Sequence, residues 1–182
     1  MSLPGRTRSI AQNACAMIRI VALVLLAAGI YTNVLAREGA LPIAGWVERA
    51  MLFPDGLAVR AKLDTGARTS SLSAVDPVFF MQDGERWVRF TLTTRWGRTA
   101  ILERPVVRLA TIKRHFGHNQ KRPVINLDIC VGPVRKTVEV NLVDRTGLNY
   151  QLLIGRNFLA GDLIVDSGST DNLSSQCPGS AQ

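Results

Sequence analysis

Apolar and polar residues alternate along much of the chain after residue 40, and a period of two is typical of strands that bury one face. One face of "GLAVRAKLD" consists of Leu57, Val59, Ala61 and Leu63, and one face of "WVRFTLTT" consists of Val88, Phe90 and Leu92. Asp83-Gly84 stands between two apolar runs and predicts a hairpin. Pro105 interrupts "ILERPVVRLATI" and predicts a sheet edge or a bend, because proline cannot donate to a strand ladder.

Three further apolar segments follow at short spacing, "RPVINLDICVG", "RKTVEVNLVD" and "YQLLIGRNFL", and turns containing glycine separate them. A short helix is predicted from about Arg156 to Ala160, ended by Gly161. Many short strands with one helix predict an all-β fold, a compact antiparallel domain over residues 37–166. Residues 167–182 are rich in Ser, Gly, Asn and Gln, which predicts a flexible tail.

Residues 1–36 have the pattern of a secretory signal, with a basic start, an apolar run and small residues near its end. The arginines before the apolar run "IVALVLLAAGIYTNVLA" are Arg6, Arg8 and Arg19. Val34-Leu35-Ala36 fits a cleavage site that leaves Arg37 as the first mature residue. The alternative is an uncleaved membrane anchor through residues 18–36, although this run is short for a bilayer span. Both interpretations place the domain outside the cytoplasm, in the periplasm or exported.

The chain has 182 residues, which is the size of a single domain. Its formal net charge is +8. A basic chain can bind nucleic acid or a membrane surface, but here the basic residues are scattered and form no long run. The sequence therefore does not indicate a nucleic-acid partner. A positive surface that aids solubility or attracts acidic peptides is the simpler interpretation.

The cysteines and histidines give no metal motif. Cys15 precedes the apolar run and leaves with the signal, so the mature chain keeps Cys130 and Cys177. In an oxidising compartment these two could form a disulfide or remain free thiols, and the sequence leaves both open. His115 and His118 are the only histidines, and no third ligand lies nearby. Neither an H-E-x-x-H motif nor a Gly-rich nucleotide loop occurs, so no metal or other cofactor is expected.

The segment "AKLDTGARTSSL" places Asp64 between an alternating strand and a Thr-Gly turn. Gly66 would let a backbone N–H approach the carboxylate without a Cβ in the way, and the Thr65 hydroxyl could lock the turn. Two such carboxylates brought together share a proton, so that one activates water while the pair acts as an acid toward a carbonyl. A turn-capping role for Asp64 is the structural alternative.

A strand followed by Asp-Thr-Gly-Ala, and later by "LLIGRNFL", resembles the retropepsin-type aspartic proteases. More closely, "KLDTGARTSSL", "RPVI", "VNLVDR" and "LLIGR" resemble a bacterial group of retropepsin-like proteins often labelled ATP-dependent zinc proteases. The resemblance covers residues 43–167, nearly the whole mature domain. It implies a retropepsin-like closed barrel with one short C-terminal helix, in which the Gly-Arg-Asn strand crosses under the catalytic loop.

The resemblance assigns catalysis to Asp64. The residues that it implies in substrate binding or in shaping the site are Thr65, Gly66, Ala67, Gly155, Arg156 and Asn157. Thr65 matches the threonine that hydrogen-bonds across a dimer axis, and Arg156 matches a buried structural arginine. Arg68 departs from the viral members of the family, which have an aspartate there that pairs with the arginine, so the ion-pair network is expected to differ.

Asp166-Ser167-Gly168 looks like the second motif of a two-lobed enzyme, but too few residues follow it for a second lobe. Asp166 is therefore expected to end the C-terminal strand, and the second carboxylate to come from another copy of the chain in a homodimer. The segment "KRHFGHNQK" is where the resemblance places the flap, with Gly117 at its tip.

The resemblance and the N-terminal signal pattern together predict an exported aspartic endopeptidase that acts on a peptide or protein substrate as a homodimer. The alternative is a non-catalytic envelope domain that keeps the fold and binds a peptide or a peptidoglycan-like ligand, because a fold does not fix a function.

The signal hypothesis predicts that protein isolated from the cell envelope begins at or near Arg37. N-terminal sequencing checks this directly. Protein that still begins at Met1 would instead support the anchor.

Overall fold

The computed structural model describes residues 39–112, 119–174 and 177. The chain divides into two units, residues 1–40 and 41–182, and the first lies almost wholly outside the described residues. The predicted signal and its anchor alternative therefore lie outside them as well. In the part of the chain that the structure describes, no helix has the length and apolar character needed to cross a bilayer.

The described residues form strands almost throughout. The elements are β1 (Ile43–Phe53), β2 (Leu57–Leu63), β3 (Ser70–Ser73), β4 (Val75–Gln82), β5 (Glu85–Thr93), β6 (Thr99–Pro105), β7 (Arg108–Ile112), β8 (Gln120–Val131), β9 (Val134–Val143), β10 (Leu152–Ile154), α1 (Arg156–Leu159) and β11 (Ile164–Thr170). The predicted all-β fold with one short C-terminal helix is confirmed.

Six of the strands close into a barrel. They follow the order β1, β2, β10, β3, β9 and β8, and a pairing of β8 with β1 closes the ring. Closure satisfies the backbone donors and acceptors that an open sheet would leave at its edges. The alternating apolar residues of β2 point inward and are buried together with partners such as Leu52, Ile125, Ile129, Leu152 and Phe158. The predicted retropepsin-like closed barrel is confirmed.

The strand pairing combines parallel and antiparallel neighbours, whereas the sequence predicted an antiparallel domain. β1 pairs in parallel with β11, β2 with β10, and β3 with β9. Parallel neighbours require long connections, and here each parallel pair joins an early strand to a late one. Local alternation in sequence cannot reveal these pairs, because it specifies a buried face and not a partner.

The strands β4, β5 and β6 form a separate three-stranded sheet against the barrel. Gln82 pairs with Glu85, so Asp83 and Gly84 form a two-residue turn in which both have positive φ, 50° and 81°. This is the turn that an Asp-Gly pair favours, and the predicted hairpin is confirmed. β6 ends at Pro105 at the edge of this sheet, as predicted.

The chain beyond Asp166 is more ordered than its composition suggests. β11 continues to Thr170, so the structure places the start of the predicted flexible tail inside a strand. The buried Glu48 carboxylate then accepts backbone N–H bonds from Gly45 at 2.6 Å, Asn172 at 2.9 Å and Leu173 at 3.4 Å. These bonds fasten the segment that follows β11 to the middle of β1.

A disulfide holds the same segment further on. Cys130 in β8 and Cys177 are bonded, with Cα atoms 5.9 Å apart, which selects one of the two states that the sequence left open. Both cysteines are buried. The C-terminal segment is thus held to β1 by a carboxylate and to β8 by a covalent bond.

Replacing Glu48 by Gln should destabilise the domain, because the amide keeps the size of the side chain but replaces one acceptor oxygen by a donor. We expect the free energy of unfolding to fall by about 1–3 kcal/mol. The matched control is Glu85→Gln at an exposed position on β5, which should change it by less than about 0.5 kcal/mol. Urea denaturation followed by circular dichroism measures both, and equal effects would contradict this role for Glu48.

Candidate active site

Asp64 lies immediately after β2, at one end of the barrel. Its backbone N–H donates to the carbonyl of Ile154 at 2.8 Å, which continues the parallel pairing of β2 with β10. β10 also pairs with β3 on its other side, through Leu152 and Leu72. The loop from Asp64 to Thr69 must therefore pass over β10, as the resemblance implies for the Gly-Arg-Asn strand.

Two backbone N–H groups orient the Asp64 carboxylate. Its Oδ1 accepts from Gly66 at 3.0 Å and from Ala67 at 3.1 Å, and the side chain is half-buried. A Cβ on residue 66 would lie 3.2 Å from that oxygen, closer than an ordinary contact. Gly66 therefore allows the close approach, as its position in the sequence predicted. Both bonds use Oδ1, so the donors fix the plane of the carboxylate while Oδ2 takes no part.

Arg156 holds the other side of the same loop. Its Nη1 donates to the carbonyls of Thr65 at 2.9 Å and of Gly66 at 2.8 Å. The predicted burial of Arg156 is wrong, because its side chain is exposed. It reaches the loop carbonyls from outside, while its backbone N–H donates to the Ala67 carbonyl at 2.9 Å. Arg68 is exposed as well, so like-charged side chains stand where viral members have an ion pair.

A buried polar network joins the loop to α1. Ser70 Oγ donates to Asn157 Oδ1 at 2.9 Å and accepts from the Gly155 N–H at 3.1 Å. Asn157 Oδ1 also accepts from the Ser70 N–H at 3.1 Å, while its Nδ2 donates to the Glu139 carbonyl at 2.8 Å. A Cβ on Gly155 would lie 2.8 Å from the carbonyl group of Thr69, so only glycine permits this packing. The sequence pointed to Gly155 and Asn157 but missed Ser70.

Asn141 is a second residue that the sequence missed. It is buried in β9, and its Nδ2 donates to Thr69 Oγ1 at 3.0 Å and to the Ser70 carbonyl at 3.1 Å. The signal was available in part, since "VEVNLVD" has a polar residue at a position between apolar ones, but its partner could not be read from that pattern. Ser70 likewise stands among other hydroxyl residues in "RTSSLS".

A cleft of about 920 Å³ opens beside this network, between the loop and β7. Its charged lining residues are Arg68, Arg108, Glu139 and Arg156. Arg108 donates to Glu139 through Nε at 3.1 Å, and this bond lowers the pKa of Glu139. The positive charges of Arg108 and Arg68 lower the same pKa further. The negative charge of Glu139 is thus balanced by its ion pair with Arg108. Arg68 and Arg156 have no such partner in the cleft lining and give the cleft a net positive charge.

The predicted flap segment follows β7 directly. β7 and β8 pair from Arg108 with Val124 to Ile112 with Gln120, which makes them the two arms of a hairpin. Residues 113–118, which include His115, Gly117 and His118 of the predicted flap, lie outside the described residues. Within residues 39–112, 119–174 and 177, no three side chains of His, Cys, Asp or Glu stand together as a metal site.

Asp166 lies within β11 and does not end it. Its carboxylate accepts from Ser169 Oγ at 2.6 Å and from the Gly168 N–H at 2.8 Å, and these bonds lower its pKa, the serine more than the backbone. Asp166 pairs with Gly45 of β1, so the motif belongs to a regular strand and turn.

Comparisons with known proteins agree with this geometry. A family model described as "RimB-like: Retropepsin-like aspartic endopeptidase RimB" matches residues 43–173. A crystal structure of a Legionella pneumophila protein of unknown function (DUF785) is 36% identical, with a TM-score of 0.62, over 72% of this chain and 97% of that one.

Curated relatives carry a different name. Probable alpha-L-glutamate ligases are 38% identical over 112 residues in Shewanella pealeana and 33% over 112 residues in Desulfotalea psychrophila. These matches cover 60% of this chain and 24% of each relative. The chain thus spans about a quarter of the length of the curated relatives that it matches.

Replacing Ser70 by Ala should loosen the support of the loop, since it leaves the Gly155 N–H buried without its acceptor. We expect the free energy of unfolding to fall by about 1–3 kcal/mol. The control is Ser73→Ala, a second buried serine of β3, for which no such bond is lost and a change below about 0.5 kcal/mol is expected. Urea titration of both variants measures the change in the free energy of unfolding. An equally small change in both variants would contradict the role of Ser70.

Proposed function

The chain belongs to the RimB-like family of retropepsin-like aspartic endopeptidases, and we propose that it hydrolyses peptide bonds with Asp64 as its catalytic carboxylate. The observation that carries the proposal is the way this carboxylate is held. Gly66 and Ala67 fix one of its oxygens by backbone donors, on a loop that is braced by β10 and Arg156. Such fixed geometry is what a residue needs to position a water molecule against a carbonyl.

In the proposed reaction, Asp64 takes a proton from water while the water oxygen attacks the peptide carbonyl carbon. Asp64 of the partner subunit, protonated, donates to the carbonyl oxygen, which gives a tetrahedral diol. The intermediate collapses as a proton reaches the amide nitrogen and the C–N bond breaks, releasing a carboxylic acid and an amine. Two facing carboxylates share one proton throughout, so acidic pH is expected to favour activity.

A homodimer is part of the proposal, because each chain supplies one Asp-Thr-Gly loop. Its support is an exposed apolar patch formed by Leu41, Ile43 and Ile164, which are 39%, 56% and 50% exposed. Val47 pairs with Lys62 near the end of β2, so Ile43 lies toward the same end of the barrel as Asp64. Burial of such a patch against its symmetric copy would bring two Asp64 loops together.

We propose that the substrate is a peptide that bears acidic side chains. Arg68 and Arg156 leave the cleft positive, and a guanidinium binds a carboxylate through a charge-assisted fork. The curated relatives are named for ligation of glutamate, and in them the matched region is only about a quarter of the chain. Glutamate-containing peptides therefore suit both the positive charge of the cleft and the ligation of glutamate for which the relatives are named.

We further propose that the domain works outside the cytoplasm, with residues 1–36 as a signal or, uncleaved, as a membrane attachment. The disulfide between Cys130 and Cys177 supports this, since such bonds persist in oxidising compartments.

A second candidate is a non-catalytic domain that holds an acidic peptide in the same cleft. The observation in its favour is that the two backbone donors to Asp64 also form an ordinary turn around an aspartate, which a purely structural residue would use as well.

Replacing Asp64 by Asn should abolish cleavage while folding and dimerisation persist, because the amide keeps the shape of the side chain but cannot accept the proton from water. We expect activity to fall by at least about 10²–10⁴-fold. Cleavage of a denatured protein and of a glutamate-rich peptide is followed at acidic pH. The peptide with Gln in place of Glu controls for the acidic preference.

An experiment that mixes wild-type and Asp64→Asn chains tests whether two subunits share one active site. An excess of Asp64→Asn chains should suppress the wild-type activity through mixed dimers, since neither chain holds a complete site. Activity that simply scales with the wild-type chain present would rule out the shared pair. Peptide binding without cleavage at any acidic pH would favour the non-catalytic domain.

A further inference from the structure

A groove rich in arginine crosses the outer face of β1 and β2, and its lining shares no residue with the cleft between the loop and β7. Two adjoining cavities, of about 670 and 340 Å³, share Arg49 and Trp96 in their lining. We call their combined lining the arginine groove; it consists of Arg49, Gly56, Ala58, Arg60, Thr94, Arg95, Trp96, Arg98, Asp171 and Leu173. Arg49 and Arg60 are paired across β1 and β2 and form its floor.

The walls of the arginine groove are fixed by hydrogen bonds. One wall is the turn between β5 and β6, where the Thr94 N–H donates to the Arg98 carbonyl at 2.8 Å and the Gly97 N–H to the Thr94 carbonyl at 3.0 Å. Arg49 lies over the Trp96 ring, with Cζ 5.1 Å from its centroid. The other wall is the segment after β11, which Glu48 holds in place. The backbone of both walls is therefore held by contacts within the protein.

The charge of the arginine groove is strongly unbalanced. Its lining contains four arginines and one acid, Asp171, which forms an ion pair with Arg60. Arg49, Arg95 and Arg98 are exposed, and each leaves a positive charge at the groove surface. Like charges that line one groove repel one another, so a ligand that neutralises several of them gains binding free energy.

Two buried polar atoms in the lining have no hydrogen-bond partner among the residues described, Arg60 Nε and Thr94 Oγ1. Thr94 is only 4% exposed. Buried polar atoms are nearly always paired, and exceptions often mark the place of a bound ion or water. Arg60 lines one of the two cavities and Thr94 the other, and both atoms lie just below the accessible surface of the lining.

We propose that the arginine groove binds a ligand that carries two or more phosphate groups. A single carboxylate is satisfied by one guanidinium fork, as Asp171 is by Arg60. A phosphate group has more acceptor oxygens and can accept from several guanidinium groups at once. The arginines line two adjoining cavities, so more than one such group fits along them. The half-exposed Trp96 adds a flat apolar surface beside them.

This site is independent of the proposed protease site. Arg60 lies in β2, four residues before Asp64, which follows the end of the strand; at the rise of a strand this separates the two by about 13 Å. None of the arginines in the arginine groove lines the cleft between the loop and β7. Ligand binding should therefore persist in Asp64→Asn, and failure of the protease proposal would leave this one standing.

Isothermal titration of the full-length chain with sodium tripolyphosphate at low, fixed ionic strength tests the proposal. We expect one saturable site per chain, with Kd raised about tenfold or more in Arg49→Ser and in Arg95→Ser. The control is Arg86→Ser, which removes an exposed arginine of β5 outside the arginine groove and should change Kd by less than about threefold. Both groove variants alter exposed side chains, and circular dichroism confirms that each is folded.

Two further arms separate the sources of charge. Vesicles containing phosphatidylglycerol test a lipid surface, and oligoglutamate of matched charge tests a carboxylate ligand. Binding to tripolyphosphate that depends on Arg49 and Arg95 supports the proposal. No saturable binding, equal losses in Arg86→Ser, binding to the vesicles alone, or oligoglutamate binding as tight with the same dependence would each overturn it.

Discussion

The position of β10 between β2 and β3 is the constraint on which the candidate site depends. Strands in a sheet are about 4.8 Å apart, so a chain that leaves β2 and enters β3 must bridge two such spacings over β10. The bond from the Asp64 N–H to the Ile154 carbonyl fixes where that bridge begins. Asp64 is thus held by a strand that is about ninety residues away in the sequence, and the loop has little freedom to place it elsewhere.

Close passage of two chain segments explains the small and polar residues around the loop. Gly155 allows the backbone of Thr69 to approach, and Gly66 allows the Asp64 oxygen to reach the backbone donors. Polar groups buried by this contact need partners, which Ser70 and Asn157 supply to one another. Arg156 completes the arrangement from the solvent side by binding carbonyls that the turn leaves without partners.

Local patterns in the sequence were enough to predict most of the strands, the Asp-Gly hairpin and the short helix, because each depends on alternation or on a turn within a few residues; β1 and β3 were not predicted. The Asp64 loop and the Gly-Arg-Asn motif could be paired only through the resemblance to a family. Glu48 and Ser70 were missed, since each looks like an ordinary polar residue until its distant partners are known. The exposure of Arg156 was missed for another reason, since its burial was expected from the resemblance to the family.

The many attachments of β1 bear on the order in which the chain can fold. The first strand of the barrel pairs with its neighbour β2, but also with β8, where residue 50 meets residue 131, and with β11, where residue 43 meets residue 164. Contacts so distant in sequence are slow to form, because the entropy of closing the loop is lost before the contact is gained. A growing chain can make hairpins early, yet its first strand keeps an open edge until the last residues arrive.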